Sequence, residues 1–270
     1  MKTTFKHWLT GVFIALLGSL INPSSAQEPL REFLRVECKA TFITADHLGN
    51  IYTLEGSTLT CLDSSLKTQY TYSNLNSGLF TSIDAADPLK LMLFSREFST
   101  LCFLDQKLTL QGSEIDLQAA VPAGNITLAC TSYESGFWVF DASGVQLLRF
   151  GSNAELQQSS GNINMMSGEE LHPQFLMEHS NMVYLCDTTR GIFIFDRYGA
   201  YLKHLPFFGV MSIQARGDIL FLFTPSKIIA YNIIDHTLSE INSPEPFISG
   251  CIRNGKLYLL TGREMIILKM

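Results

Sequence analysis

Six histidines, 25 acidic residues and six cysteines are the raw material for chemistry in this 270-residue chain, and their spacing decides what they can do. His172 and His179 stand seven residues apart, which is not a zinc-ligand spacing. No nucleophile turn of the Gly-x-Ser-x-Gly type, EF-hand loop, phosphate-cradling glycine loop or dinucleotide fingerprint occurs. Asp46, Asp84, Glu178, Arg216 and Arg253 fall at the ends of apolar runs, where turn capping accounts for them. They are not spaced as converging calcium ligands. Asn125-Ile126-Thr127 matches a glycosylation sequon, but its Ile and Thr belong to a run that reads as strand. The cysteines (38, 61, 102, 130, 186 and 251) each sit inside an apolar run without a Cys-x-x-Cys pair. They read as small buried hydrophobes, with disulfide bridges as the alternative. No catalytic, cofactor-binding or metal-binding residue is assigned, and no cofactor is expected.

The elements carrying these residues repeat. Gly191-Ile192-Phe193-Ile194-Phe195-Asp196-Arg197-Tyr198-Gly199 returns as Gly136-Phe137-Trp138-Val139-Phe140-Asp141-Ala142-Ser143-Gly144, with weaker copies ending at Asp63 and Asp105. A phrase recurring at long intervals marks a repeat architecture. From Ala40 to Tyr72, four short strands are separated by Asp-, Gly- and Ser-bearing turns. Five more such units follow, and the third is expected to hold strands at 119–121, 126–130, 137–141 and 145–150. Third-strand ends then fall near Asp63, Asp105, Asp141, Asp196, Asn232 and Lys269, at spacings of 42, 36, 55, 36 and 37.

The unit at Asp46, Gly49-Asn50-Ile51-Tyr52 and Leu59 to Asp63 resembles the NHL-type and related six-bladed β-propeller repeats. That resemblance implies architecture and no activity. The expected fold is all-β: six blades of four antiparallel strands. The last unit lacks an outer strand, and Arg31 to Lys39 supplies a spare one, so the N-terminal strand is expected to close the ring. A β-sandwich is the competing fold.

Residues 1–26 read as a signal peptide: Lys2 and Lys6, an apolar run from Trp8 to Ile21, then a small-residue cleavage site ending at Ala26. One propeller domain from 27 to 270 is expected to be soluble in the periplasm or outside the cell. Without the leader's two lysines, 17 basic residues face 25 acidic ones. That balance argues against nucleic acid and anionic membranes as partners.

A protein of the cell envelope is the expected partner, held by a loop-rich face. A polar insertion at about 151–172 carries Met165 and Met166. Loops between second and third strands are expected to supply Arg96 and Phe98, Tyr133 and Glu134, and Asp187 and Arg190. Phe207-Phe208 joins them from the link between blades four and five, where both rings cannot point inward. Tyr and Arg are frequent interface anchors. Two other functions remain open: a propeller hydrolase or lactonase, and a small-ligand or glycan sensor with a deep apolar pocket.

Overall fold

The computed structural model describes residues 31–270. The expected signal peptide at 1–26 lies outside the described residues. Strand β1 (Arg31–Glu37) comes first, followed by blade one: β2 (Phe42–Ala45), β3 (Ile51–Glu55), β4 (Thr58–Leu62) and β5 (Thr68–Ser73). Blade two is β6 (Ser82–Asp84), β7 (Leu91–Ser95), β8 (Thr100–Leu104) and β9 (Leu110–Asp116). Helix α1 (Leu117–Ala120) leads to blade three: β10 (Ile126–Thr131), β11 (Phe137–Asp141), β12 (Gln146–Phe150) and β13 (Leu156–Ser159). Helix α2 (Ile163–Ser167) precedes blade four: β14 (Phe175–His179), β15 (Met182–Asp187), β16 (Gly191–Asp196) and β17 (Tyr201–Leu205). Blade five is β18 (Ser212–Arg216), β19 (Ile219–Phe223), β20 (Lys227–Asn232) and β21 (Leu238–Asn242). Blade six is β22 (Ser249–Arg253), β23 (Lys256–Leu260) and β24 (Glu264–Lys269), completed by β1 as its outer strand. Each blade is a four-stranded antiparallel meander, and β1 pairs with β24 from Arg31–Lys269 to Glu37–Glu264. The protein is therefore a six-bladed propeller closed by its N-terminal strand, as expected.

Burial explains why these segments make blades. Second and third strands are apolar on both faces, as in Leu91–Ser95 and Phe137–Asp141, which are buried throughout. Outer strands such as Thr68–Ser73 are polar and exposed. Successive side chains of a strand point to opposite faces, so each blade feeds two neighbours. Six apolar clusters result, one per seam: Tyr52 and Leu54 meet Leu91 and Leu93 between blades one and two, and Ile43 and Ile51 meet Tyr258 and Ile267 between six and one. All six cysteines are free thiols, and five are buried in these strands. Burial pushes the Cys61 thiol up to about 11 and the Cys102 thiol to about 12, where they behave as small hydrophobes.

Blade three departs from the expected assignment. Ala119 and Ala120 belong to α1, capped by Asp116, whose carboxylate accepts from the N–H groups of Gln118 and Ala119, and Val121 closes that helix. The first strand is instead Ile126–Thr131, each later strand moves one place inward, and the outer strand β13 comes out of the 151–172 stretch. Most of that insertion is thus blade and helix. Third strands end at residues 62, 104, 150, 196, 232 and 269, which evens the spacings to 42, 46, 46, 36 and 37.

The misreading has a physical cause. Asp196 accepts from the backbone N–H of Tyr198 and Ala200 and closes a third-to-fourth hairpin, as Asp63 does with Ser65 and Lys67 and Asp105 with Lys107 and Thr109. Asp141 does the same turn chemistry with Ser143 and Gly144, but between second and third strands. An Asx turn reports a hairpin, not which hairpin.

Candidate functional site

Antiparallel strand order gives the ring two distinct faces. One, the linker face, carries the loops between second and third strands and the links between blades. The other, the hairpin face, carries the first-to-second and third-to-fourth hairpins. Arg96 and Phe98, Arg190, Phe207 and Phe208, and Met165 and Met166 on α2 all lie on the linker face, as expected.

Tyr133 and Glu134 do not. With blade three re-registered they sit in the β10–β11 hairpin, on the opposite face. Tyr133 is clamped between two guanidinium groups, with Arg149 at 3.5 Å and Arg197 at 3.6 Å from its ring centroid. Arg149 is buried and donates to Ser132 Oγ at 2.9 Å, to the Tyr133 carbonyl at 2.8 Å and to the Gln157 side chain. The stack braces blade three against the β16–β17 turn through cation–π contacts and a saturated guanidinium.

Asp187 is likewise internal. Only 1% exposed, it accepts from the N–H groups of His172, Thr189 and Arg190 and from the Thr189 hydroxyl. Arg190 is paired with Glu169 at 3.1 Å, which ties blade four to the link after α2. Phe207 turns inward onto Tyr231, ring centroids 5.2 Å apart, while Phe208 is 61% exposed. One ring of the pair is thus at the surface.

The linker face exposes charged Arg96 and Glu97 and, beside them, a set of apolar side chains. Phe98 lies directly over Gly78, where even a Cβ would meet the ring at 2.3 Å. Leu75 and Leu79, in the same link between blades one and two, are 84% and 60% exposed, and Leu79 approaches Gly56 of the neighbouring turn. Met165 on α2 is 86% exposed. Leu75 and Leu79 escape sequence inspection because they sit among Asn and Ser. Two leucines outside any strand, four residues apart, were the available signal.

First-strand side chains fasten the blades around the central channel. Asp84 accepts from the Thr131 N–H and hydroxyl across seam two–three, and Glu178 from Ser132 Oγ and Trp138 Nε1 across seam three–four. Gln214 exchanges two hydrogen bonds with the Ile252 backbone across seam five–six, and Ser249 Oγ accepts from the Ile43 N–H across six–one. Among the described residues no cluster of three or more His, Cys, Asp or Glu could hold a metal ion, and no helix is long and apolar enough to cross a membrane.

This arrangement defines the class: a six-bladed β-propeller whose channel acids Asp84 and Glu178 join neighbouring blades. No protein-family model matches the chain, and no curated protein matches its sequence. Solved propellers do match in structure. Virginiamycin B lyase from Staphylococcus aureus is 11% identical with a TM-score of 0.62, over 88% of this chain and all of that one. A streptogramin B lyase is 13% identical, TM-score 0.59, over 85% and 81%. BBS1N, solved in complex with ARL6DN, is 15% identical, TM-score 0.57, over 84% and 76%. At these identities the likeness shows the fold alone, shared by a lyase and by a protein bound to a partner.

Proposed function

We propose that the chain is an exported, non-enzymatic interaction module that holds a protein partner of the cell envelope on its linker face. The observation that carries this reading is the exposed apolar group of Leu75, Leu79 and Phe98, gathered where the link between blades one and two meets the β7–β8 loop, with Met165 and Phe208 exposed on the same face in the links after blades three and four. Exposed apolar residues on the hairpin face, Leu48, Leu89, Tyr198 and Ile234, are dispersed over four blades. Clustering matters because an interface core must exclude water from its anchors at once. The acidic net charge and the leader at 1–26 support an exported protein that avoids nucleic acid. Asp46 and Gly49-Asn50-Ile51-Tyr52 support an NHL-like character for the repeat.

The test is affinity purification of the tagged protein from gently solubilised envelopes, using Leu79→Ala/Phe98→Ala/Phe208→Ala beside a hairpin-face control, Leu89→Ala/Ile234→Ala. A stoichiometric envelope protein should be lost from the first variant and kept by the second. An anchor of this kind contributes at least about 2 kcal/mol, so its loss weakens binding roughly 30-fold. Partner capture indifferent to the linker-face variant, or no partner at all, would refute the reading.

A further inference from the structure

The six first strands surround a central channel of about 560 Å³. That is within the roughly 300–1,000 Å³ range of small-molecule sites. Its lining changes character along its depth. From the linker face to the middle it combines the apolar Phe42, Leu128, Phe175, Met177 and Met211 with uncharged polar groups of Thr81, Ser82, Gln174 and Ser212. At the hairpin-face mouth stand Arg216 at the end of β18 and Arg253 at the end of β22, on adjacent blades.

The charged groups at that mouth are unequally engaged. Asp84 Oδ2 takes the Thr131 N–H and hydroxyl, and its Oδ1 takes the Ala86 N–H at 2.9 Å. Glu178 Oε2 takes Ser132 Oγ and Trp138 Nε1. These acids, on blades two and four, have their donors. The guanidinium side does not have its acceptors. Arg253 gives one terminal nitrogen to the His47 carbonyl, but its Nε is buried with no hydrogen-bond partner among the described residues. Arg216 is exposed at the same mouth. A buried N–H without an acceptor is costly, and a guanidinium edge matches a carboxylate.

We propose that the channel binds an apolar molecule carrying a single carboxylate, with its hydrocarbon against Phe42, Phe175 and Met177 and its carboxylate on Arg216 and Arg253. This site is independent of the linker-face patch. Trp138 supplies a built-in reporter: it is the only tryptophan among the described residues, and its indole N–H rests on Glu178 at the mouth.

The experiment is titration of the protein with decanoate, decanol and decylammonium below their aggregation concentrations, read by calorimetry and by Trp138 emission. Deoxycholate, run in parallel, separates a rigid ring-fused acid from a flexible chain. At least one of the two acids should bind about tenfold more tightly than decanol, and decylammonium should bind more weakly still. Arg216→Gln, at an exposed position, should remove that preference and leave decanol unchanged. Thr44→Phe, placed on the channel wall, should block all ligands, with circular dichroism confirming that both variants are folded. Equal affinity for acid and alcohol, an acid affinity untouched by Arg216→Gln, or no binding of either acid at millimolar concentration would overturn the proposal.

Discussion

Asp187 accepts backbone hydrogen bonds from His172 at 2.7 Å and Thr189 at 2.8 Å, and burial opposes its charge. Burial alone would push the carboxyl up, but the hydrogen bonds outweigh it and hold the group below the usual carboxylate range. A carboxyl depressed in the folded state stabilises the fold above its unfolded value of about 3.9, and that stability is lost as pH falls through the folded value. Asp187→Asn should therefore cost about 1–2 kcal/mol at pH 7, and the cost should shrink as pH falls below the ordinary carboxylate value of about 3.9. Urea unfolding across that pH range checks both parts, and a pH-independent cost would show that the charge plays no role. At this scale the sequence misled twice. Asp187 and Tyr133 are expected on a recognition rim, yet one caps a turn and the other lies between Arg149 and Arg197. The guanidinium groups on Tyr133 and the His172 N–H on Asp187 come from 15 or more residues away, so composition alone could not separate recognition from bracing. Phe98, Phe208 and Met165 were legible because apolar side chains in turns have no pleat to hide in.

Strand β13, Leu156-Gln157-Gln158-Ser159, is nearly all polar, because the outer edge of a blade has a neighbour on one side only. Hydrophobic patterning therefore finds the inner three strands of a blade and is blind to a strand like this one. Removal of Asn153 to Glu170, most of the stretch expected to be a polar insertion, takes away β13 and also Ile163 of α2, fully buried between blades three and four. The loss of an Ile-sized core side chain costs about 2–5 kcal/mol, before the exposed β12 edge is counted. The deletion should lower the thermal midpoint by 10 °C or more, on the order of what such a loss implies. Thermal unfolding against the intact protein is the check, and an unchanged midpoint would mean blade three tolerates the loss.

Ring closure was the most legible feature of the whole molecule, since a three-strand last unit and a spare first strand are complementary deficits in one sequence. The closing strand is held by more than its ladder. Arg35 pairs with Glu32 on its own strand, with Glu264 on β24 at 2.8 Å and with Glu245 at 2.6 Å. These groups are solvent-exposed and contribute little each, so the ladder and the seam behind it carry closure. Deletion of 31–37 should leave β24 as an open apolar edge and drive the protein towards larger oligomers or aggregate. Size-exclusion chromatography decides this, and an unchanged size and thermal stability would rule out closure by β1.

Closure by β1 also sets an order of events in time. Arg31–Glu37 leaves the ribosome before any blade, and its partner Glu264–Lys269 only after the other five blades. At roughly 5–20 residues per second, the strand waits on the order of 10–50 s with both edges unpaired. It carries the apolar Phe33, Leu34 and Val36, exposed even in the finished ring. A holding factor that recognises extended apolar segments near the N-terminus would meet this chain throughout its synthesis and release it only when the final blade arrives.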